Sequence, residues 1–461
     1  MVLFGASDAL LQTLSLALMP MIARTLGSSA LGVWSTSLSL LAALSTVASL
    51  GVGASAGRVW LDIAPERRAG MIAALYVVLG AVIVGVGALG LGIAVAADTT
   101  GRLGPWTLTS VALVLAAAVG LQAQVLPRAI WATEEAAARI VAVNLVTTGL
   151  FVLTAAVGVG LLSQPVDWLF VSRASAALLG AVATLGFAAW ALRDRPDWAA
   201  AREALHLGWP TIPHQLAHWG LAVADRFVIG RWLGFAAVGQ YSVAYVCVDV
   251  FALGMQAMNR AISPQLARWH NEPAHRAYLV DLIDAFVRVS FGALVLSNAW
   301  APHLVVWTFG SGYDEASRLA PVLLLGAGPW CLYFSEVNAL FYQRRVRSVP
   351  VGTVTSAILG VGATIGLVQL SGLLGAALGT VFGYAVLWVF TRWRASLAPR
   401  VTMSVRASVW ALASWATAAL LAVWVWFEGP VPWWALVLVT PVGVGLSWRG
   451  LRLLLRAKAA R

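Results

Sequence analysis

The sequence predicts an all-α polytopic membrane protein with about 14 transmembrane helices: two parallel six-helix bundles around a central cavity, followed by a C-terminal helix pair. Three observations carry this prediction. With 60% hydrophobic and 11% charged residues, 461 residues have too little polar surface to cover a soluble protein, so much of the outside must face lipid. The apolar residues fall into fourteen runs of about 20 residues, each long enough as a helix to cross about 30 Å of hydrocarbon. Finally, a twelve-residue pattern, R-x-L-G-x4-G-x-[W/Y]-S, occurs at Arg24 to Ser35 and again at Arg231 to Ser242, a spacing of 207 residues. That spacing holds about six membrane helices with short loops, which points to an internal duplication.

The runs lie at 3–24, 31–56, 70–97, 106–127, 140–162, 168–192, 207–229, 237–259, 284–307, 318–341, 349–370, 373–391, 407–427 and 431–448. The first starts at Val2 with no basic region before it, so no cleavable signal peptide is expected. Residues 1–192 form the N-terminal bundle, 193–206 a polar cytoplasmic linker, 207–394 the C-terminal bundle, and 395–461 the last two helices with a basic tail. Because six is even, both bundles start from the same side, and their repeats are related by an axis along the membrane normal. Substrate is expected between them.

Charge sets the orientation. With a cytoplasmic N-terminus, 24 of the 30 Arg and Lys fall on the cytoplasmic side, 23 in loops and the C-terminal tail and Arg288 in the first turns of the ninth run, and four (Arg24, Arg102, Arg231, Arg318) fall outside. A missed helix would scramble this alternation, so the asymmetry supports the count as well as the cytoplasmic placement of both termini. The net charge of +11 then reports topology and contact with anionic membrane lipids, with no need for nucleic acid. The 23 Trp suit membrane interfaces, and Cys247 and Cys331 sit in apolar runs as packing residues. Gly27, Gly32, Gly234 and Gly239 are expected to allow a tight turn and close helix approach in each repeat.

Charged side chains at helix centres cost about 2.5–3.5 kcal/mol on insertion scales and so mark candidate sites. In the seventh run, His214, His218 and Asp225 fall on one stripe of a regular helix, after Pro210 and Pro213, which favour a kink. On the same regular helix Asp225 and Arg226 lie about 100° apart and need not face each other. The eighth run has a stripe of Tyr241, Tyr245, Asp249, Gln256 and Arg260. Helix–helix hydrogen bonding is the alternative reading of both stripes. A single His-x3-His pair near an Asp is too little for a zinc site, and no metal or cofactor is expected. The first run is plainer, with Asp8, Gln12, Ser15 and Met19 on one face. Arg58 and Arg128 follow the second and fourth runs, while Arg173 and Arg226 lie inside the sixth and seventh. Converging arginines suit a phosphate or diphosphate; snorkelling to headgroups is the alternative. Glu336 joins Asp225 and Asp249 as a candidate sodium-ion or proton site.

The Arg-x-Leu-Gly turn, the segment Asp225-Arg226-Phe227-Val228-Ile229-Gly230 leading into Leu233-Gly234, the Val238-Gly239-Gln240-Tyr241-Ser242 stretch and Ser263-Pro264 resemble the polysaccharide transporter (Wzx-type flippase) family. That family belongs to the multidrug, oligosaccharidyl-lipid and polysaccharide exporter superfamily. The resemblance implies rocker-switch alternating access and movement of lipid-linked oligosaccharide on a polyprenyl diphosphate across a bacterial cytoplasmic membrane. It also implies that Arg24, Arg58 and Arg260 engage the diphosphate. Arg226, Tyr241 and Tyr245 join them as candidate substrate contacts, and His214, His218 and Gln256 as polar cavity residues. Two alternatives stay open: a cation-coupled multidrug exporter, which an acid-dominated cavity would favour, and a membrane-embedded glycan polymerase or ligase, an enzyme that would need a larger outer loop. Walker, triad and metal motifs are absent from the sequence, so no enzyme activity is expected.

Overall fold

In a computed structural model, all fourteen runs are largely helical, and no strand occurs among the described residues. The structure describes the backbone of residues 2–101, 104–161, 165–345, 347–397 and 399–459, and their side chains other than those of 2–12, 54, 165, 446 and 453–459. The side chains of Asp8 and Gln12, and those of Arg102, Arg456, Lys458 and Arg461 from the charge count, lie outside the described residues.

The chain divides into two compact units, residues 1–219 and 220–461. The helices, in chain order, are α1 (Val2–Ala48), α2 (Val52–Asp62), α3 (Pro65–Thr99), α4 (Leu108–Ala123), α5 (Val125–Thr133), α6 (Ala137–Asn144), α7 (Leu150–Leu161), α8 (Pro165–Val182), α9 (Leu185–Ala191), α10 (Trp198–Gly208) and α11 (Ile212–Val223). They continue with α12 (Asp225–Trp232), α13 (Phe235–Trp269), α14 (Arg276–Phe309), α15 (Asp314–Leu325), α16 (Ala327–Tyr342), α17 (Ser348–Ser396), α18 (Val405–Glu428) and α19 (Trp433–Ala459).

Nine helical stretches among the described residues, or ten if the bent α8–α9 pair is one span, are long and apolar enough to cross a membrane. Two of the nine hold two predicted runs each: α1 breaks at Gly27, and α17 breaks at Ser371 and Gly372. The seventh run is the broken pair α11–α12, and the ninth is α14, with Pro302 inside it. Fourteen runs and these helices are therefore consistent.

The R-x-L-G turns show their chemistry in the backbone. Gly27 has φ 77° and ψ 174°, and Gly234 has φ 86° and ψ 172°. A Cβ at either would meet nothing within 4 Å, so conformation alone, not packing, calls for glycine there. Gly32 and Gly239 are helical and buried.

In the first unit, the polar stretch expected to be a linker carries α10. Its Ala200, Ala201, Ala204 and Gly208 recur at helical spacing and are buried with Trp60 of α2, Met71 and Leu75 of α3, and Ile130 of α5. Asp197 caps α10 by accepting from the backbone N–H groups of Ala199 and Ala200 at 3.1 Å each, and it also accepts from Arg67 Nε at 2.7 Å. A Cβ on Gly51 would sit 2.2 Å from the Gly208 carbonyl oxygen, so this junction also needs a bare backbone.

In the second unit, α14 packs against α13, α15, α18 and α19. The last helix, α19, attaches to α14 through small residues: a Cβ on Gly292 would be 2.6 Å from Ser447 Oγ, and one on Gly443 would be 3.2 Å from the Gly292 carbonyl oxygen. Backbones this close are how small-residue faces replace the hydrophobic effect where both sides are already apolar.

Candidate functional site

The seventh run does not continue as one helix. It breaks at Ala224, and Asp225 becomes the first residue of α12, where a carboxylate complements the helix N-terminus. Asp225 Oδ1 accepts from the Arg226 backbone N–H at 2.8 Å and from Arg226 Nη1 at 3.3 Å. Its Oδ2 accepts from the Tyr241 hydroxyl of α13 and from Thr380 Oγ1 of α17 at 3.3 Å. Arg226 Nη1 also donates to the Ala222 carbonyl at 3.1 Å, and the guanidinium lies 4.7 Å from the Tyr245 ring centre. Asp225, Arg226 and Tyr241 are 4%, 7% and 0% exposed.

This is an internally neutralised node that joins α12, α13 and α17. The expectation that Asp225 and Arg226 need not meet fails because the helix starts at Asp225 and the long guanidinium folds back over its neighbour. Of the predicted stripe, His214 is half-buried and His218 exposed on α11 in the first unit, and Asp225 is buried on α12 in the second. Thr380 was missed by sequence reasoning. Its signal is slight, a Thr380 and Tyr384 pair at i, i+4 within an otherwise apolar run.

Along α13 the second stripe runs from buried to open. Tyr241 and Tyr245 pack with ring centres 6.0 Å apart, Asp249 is half-buried, and Gln256 and Arg260 are exposed, with Arg260 Nε 3.4 Å from the Gln256 carbonyl oxygen. Arg24 and Arg58 are exposed residues of the first unit. Glu336 is buried elsewhere in the second unit: Oε1 accepts from Arg392 Nη1 at 3.1 Å and Oε2 from Arg400 Nη1 at 2.6 Å. It ties α16 to the end of α17 and to the segment before α18.

The first unit has a polar node of its own. Gln124, at the break between α4 and α5, donates to the Ala177 carbonyl at 2.9 Å, and its Oε1 accepts from Thr147 at 2.9 Å and from Arg128 Nη2 at 2.7 Å. Arg173 of α8 lies 5.4 Å from the Phe151 ring centre, near enough to Arg128 for the two like charges to interact. Its Nε is buried without an acceptor, and no carboxylate pairs with it among the described residues.

The fold and these buried charges define a class: a multi-pass helical membrane protein with charged side chains held between its helices. The overall fold is that of a lipid II flippase, MurJ, in an inward closed conformation, with a TM-score of 0.72 at 11% identity over the whole of both chains. An inward-facing multidrug resistance MATE family transporter of the MOP superfamily follows at a TM-score of 0.63 and 14% identity, covering 87% of this chain and 95% of the other. The model of the family described as polysaccharide biosynthesis protein matches residues 21–318, and the chain belongs to that family, as the motifs of the sequence indicated. A probable low-salt glycan biosynthesis flippase, Agl15 of Haloferax volcanii, is 25% identical over 229 residues, 45% of this chain. The chain spans 46% of that relative's length in the match.

Proposed function

We propose that this protein is a flippase that carries lipid-linked oligosaccharide, on a polyprenyl diphosphate, across a bacterial cytoplasmic membrane by alternating access, with both termini cytoplasmic. The observation that carries the reading is the charge balance of the buried groups. The multidrug alternative needs an acid-dominated interior, yet Asp225 is neutralised by Arg226, and Glu336 by Arg392 and Arg400. Arg173, by contrast, is a cation without a carboxylate among the described residues, beside a second arginine. A diphosphate is anionic and strongly hydrated, so arginines held in an apolar bundle lower its transfer barrier through bidentate, charge-assisted hydrogen bonds. Arg24, Arg58 and Arg260, all exposed, are proposed as further contacts along its route. Family membership and the flippase among the relatives support the same substrate class.

Of the three acids first considered for ion coupling, Asp249 alone is proposed to keep that role, with sodium or a proton as the ion. It is half-buried and outside salt-bridge distance of any cation among the described residues.

The test is translocation of a fluorescent polyprenyl-diphosphate oligosaccharide in proteoliposomes, with organic-cation efflux measured alongside. Arg173→Ala and Arg260→Ala should abolish flipping in folded, inserted protein, and Arg456→Ala in the tail should leave it nearly unchanged. Cation efflux without flipping would move the protein to the multidrug branch.

A further inference from the structure

On the face whose charge pattern reads as cytoplasmic, the second unit holds a cavity of about 480 Å³ where three chain connections meet: α13 to α14, α16 to α17, and α17 to α18. No residue of the Asp225 node lines it. Part of its wall is fixed. The His270 ring stacks on Tyr342 with ring centres 4.4 Å apart, and its Nδ1 donates to the Ala267 carbonyl at 2.9 Å. The Tyr342 hydroxyl accepts from the Val401 N–H at 3.1 Å, and Gln343 Nε2 donates to the Ala395 and Pro399 carbonyls at 3.3 and 3.2 Å. These contacts lock the three connections to one another.

Two cations on the same wall are uncommitted. Arg276, the first residue of α14, and Arg345, just after α16, both line the cavity and are exposed to it. Neither side chain makes a hydrogen bond or ion pair among the described residues. The backbone brings Arg345 there. Helix α16 ends in a Schellman turn: the Arg345 N–H donates to the Leu340 carbonyl at 2.9 Å, and Arg344, at φ 58°, takes the left-handed position that is usually glycine. A third arginine, Arg400, is already paired with Glu336. The one carboxylate on the wall, Glu272, has its Oε2 2.7 Å from His275 Nδ1.

The uncommitted guanidinium groups select the ligand. A carboxylate has two oxygens and is saturated by one bidentate arginine, whereas a terminal phosphate offers three oxygens and two charges, enough for both. The volume lies within the about 300–1,000 Å³ of small-molecule sites, so it also holds an organic group esterified to that phosphate. We infer that this cavity is a binding site for a phosphate monoester whose terminal oxygens are shared between Arg276 and Arg345. A lipid of the leaflet carries such a group, as in phosphatidic acid, and so does a soluble ester, as in glycerol 3-phosphate; both present the same dianion. Basic pockets between helices at a cytoplasmic membrane face take phosphorylated headgroups in this way. The ligand ties the α13–α14 and α16–α17 connections together, and the site does not depend on which molecule is transported.

The full chain in phosphatidylcholine nanodiscs, at about pH 8 where a phosphate monoester is a dianion, tests this in two arms. One arm titrates glycerol 3-phosphate by calorimetry. The other adds phosphatidic acid to the disc and reads the lipid retained on the protein by native mass spectrometry. Saturable binding in the first arm assigns a soluble ester, and retention in the second alone assigns a lipid; either supports the site. In the arm that binds, Arg276→Gln and Arg345→Gln should each weaken binding about tenfold, and the pair about a hundredfold. Arg268→Gln, exposed but outside the cavity, should change nothing. Unfolding midpoints confirm that the variants, all at exposed positions, keep the fold. Absence of binding in both arms, or equal binding by the double variant, would overturn the site. So would phosphatidylglycerol, a singly charged diester, held as firmly as phosphatidic acid.

Discussion

Gly27 and Gly234, 207 residues apart, adopt the same backbone conformation, φ 77° with ψ 174° and φ 86° with ψ 172°. Each stands at the start of the helical stretch that carries the second half of its twelve-residue pattern. Positive φ with extended ψ is a region that only glycine enters readily, and Gly310 (φ 93°, ψ 175°) and Gly429 (φ 92°, ψ −166°), outside the pattern, adopt it too at helix ends. The agreement shows what each copy of the pattern needs its glycine for: a turn between helices that other residues enter only with strain.

It also yields a stability prediction. Gly27→Ala and Gly234→Ala should each destabilise the protein by about 1–3 kcal/mol, although an added methyl would meet nothing within 4 Å at either position. Gly87→Ala, inside α3 with equally open surroundings and ordinary helical φ, should instead be neutral or stabilise by about 0.5–1 kcal/mol. Thermal unfolding midpoints of the three variants decide this. Equal effects at all three sites would remove the conformational argument.

The Asp225 node changes what a mutation there means. Removing the carboxylate leaves the Arg226 guanidinium buried without its counter-ion, so Asp225→Ala should cost about 3–5 kcal/mol of stability. Loss of transport in that variant would then come with loss of folded protein. Replacing both partners, Asp225→Asn with Arg226→Met, should recover much of the lost stability, because no uncompensated charge remains. A double-mutant cycle on unfolding midpoints tests the coupling; additive effects would mean that the two side chains do not act as a pair.

Glu336 allows a parallel experiment. It holds two arginines, of which Arg400 is the more buried, its side chain 9% accessible against 50% for Arg392. Glu336→Gln should therefore destabilise more than Arg392→Gln does, since the first strands a buried cation and the second only an exposed one. The unfolding midpoints should rank in that order, and the reverse order would show that the Arg400 contact contributes little.

The helices were legible in the sequence because spanning a bilayer requires about 20 apolar residues in a row, a signal that needs no knowledge of tertiary contacts. The Gly27 and Gly234 turns were legible because the pattern repeats. What was not legible depends on side-chain reach and on distant contacts. A regular helix puts Asp225 and Arg226 about 100° apart, and the length of the guanidinium side chain, which reaches back to its neighbour's carboxylate, is not visible in that angle. Thr380 lies 155 residues from Asp225 in sequence, and nothing about a threonine among Gly and Ala residues announces so distant a partner. The stretch at 193–206 reads as a linker from its charges, whereas its alanines at helical spacing bury α10 against α2 and α3.

That helix supports a pH prediction. Asp197 accepts from Arg67 and caps α10, and the Arg67 hydrogen bond, followed by that from the Ala200 backbone, holds its carboxyl below the ordinary carboxylate value. A group whose folded pKa is depressed adds stability that is present above its unfolded value and is lost as pH falls through its folded value. The contribution of Asp197 should thus be constant from neutral pH down to about 4, the ordinary carboxylate value, and should disappear below it. Because Asp197 is at the surface, the effect should be local to α10, with little change in global unfolding. Hydrogen exchange of the 198–208 amides, compared with Asp197→Asn at each pH so that intrinsic rates cancel, is the measurement. Wild type should be the more protected at neutral pH, with the difference closing in acid. A difference that persists unchanged below pH 3 would show that the cap does not depend on the ionised carboxylate.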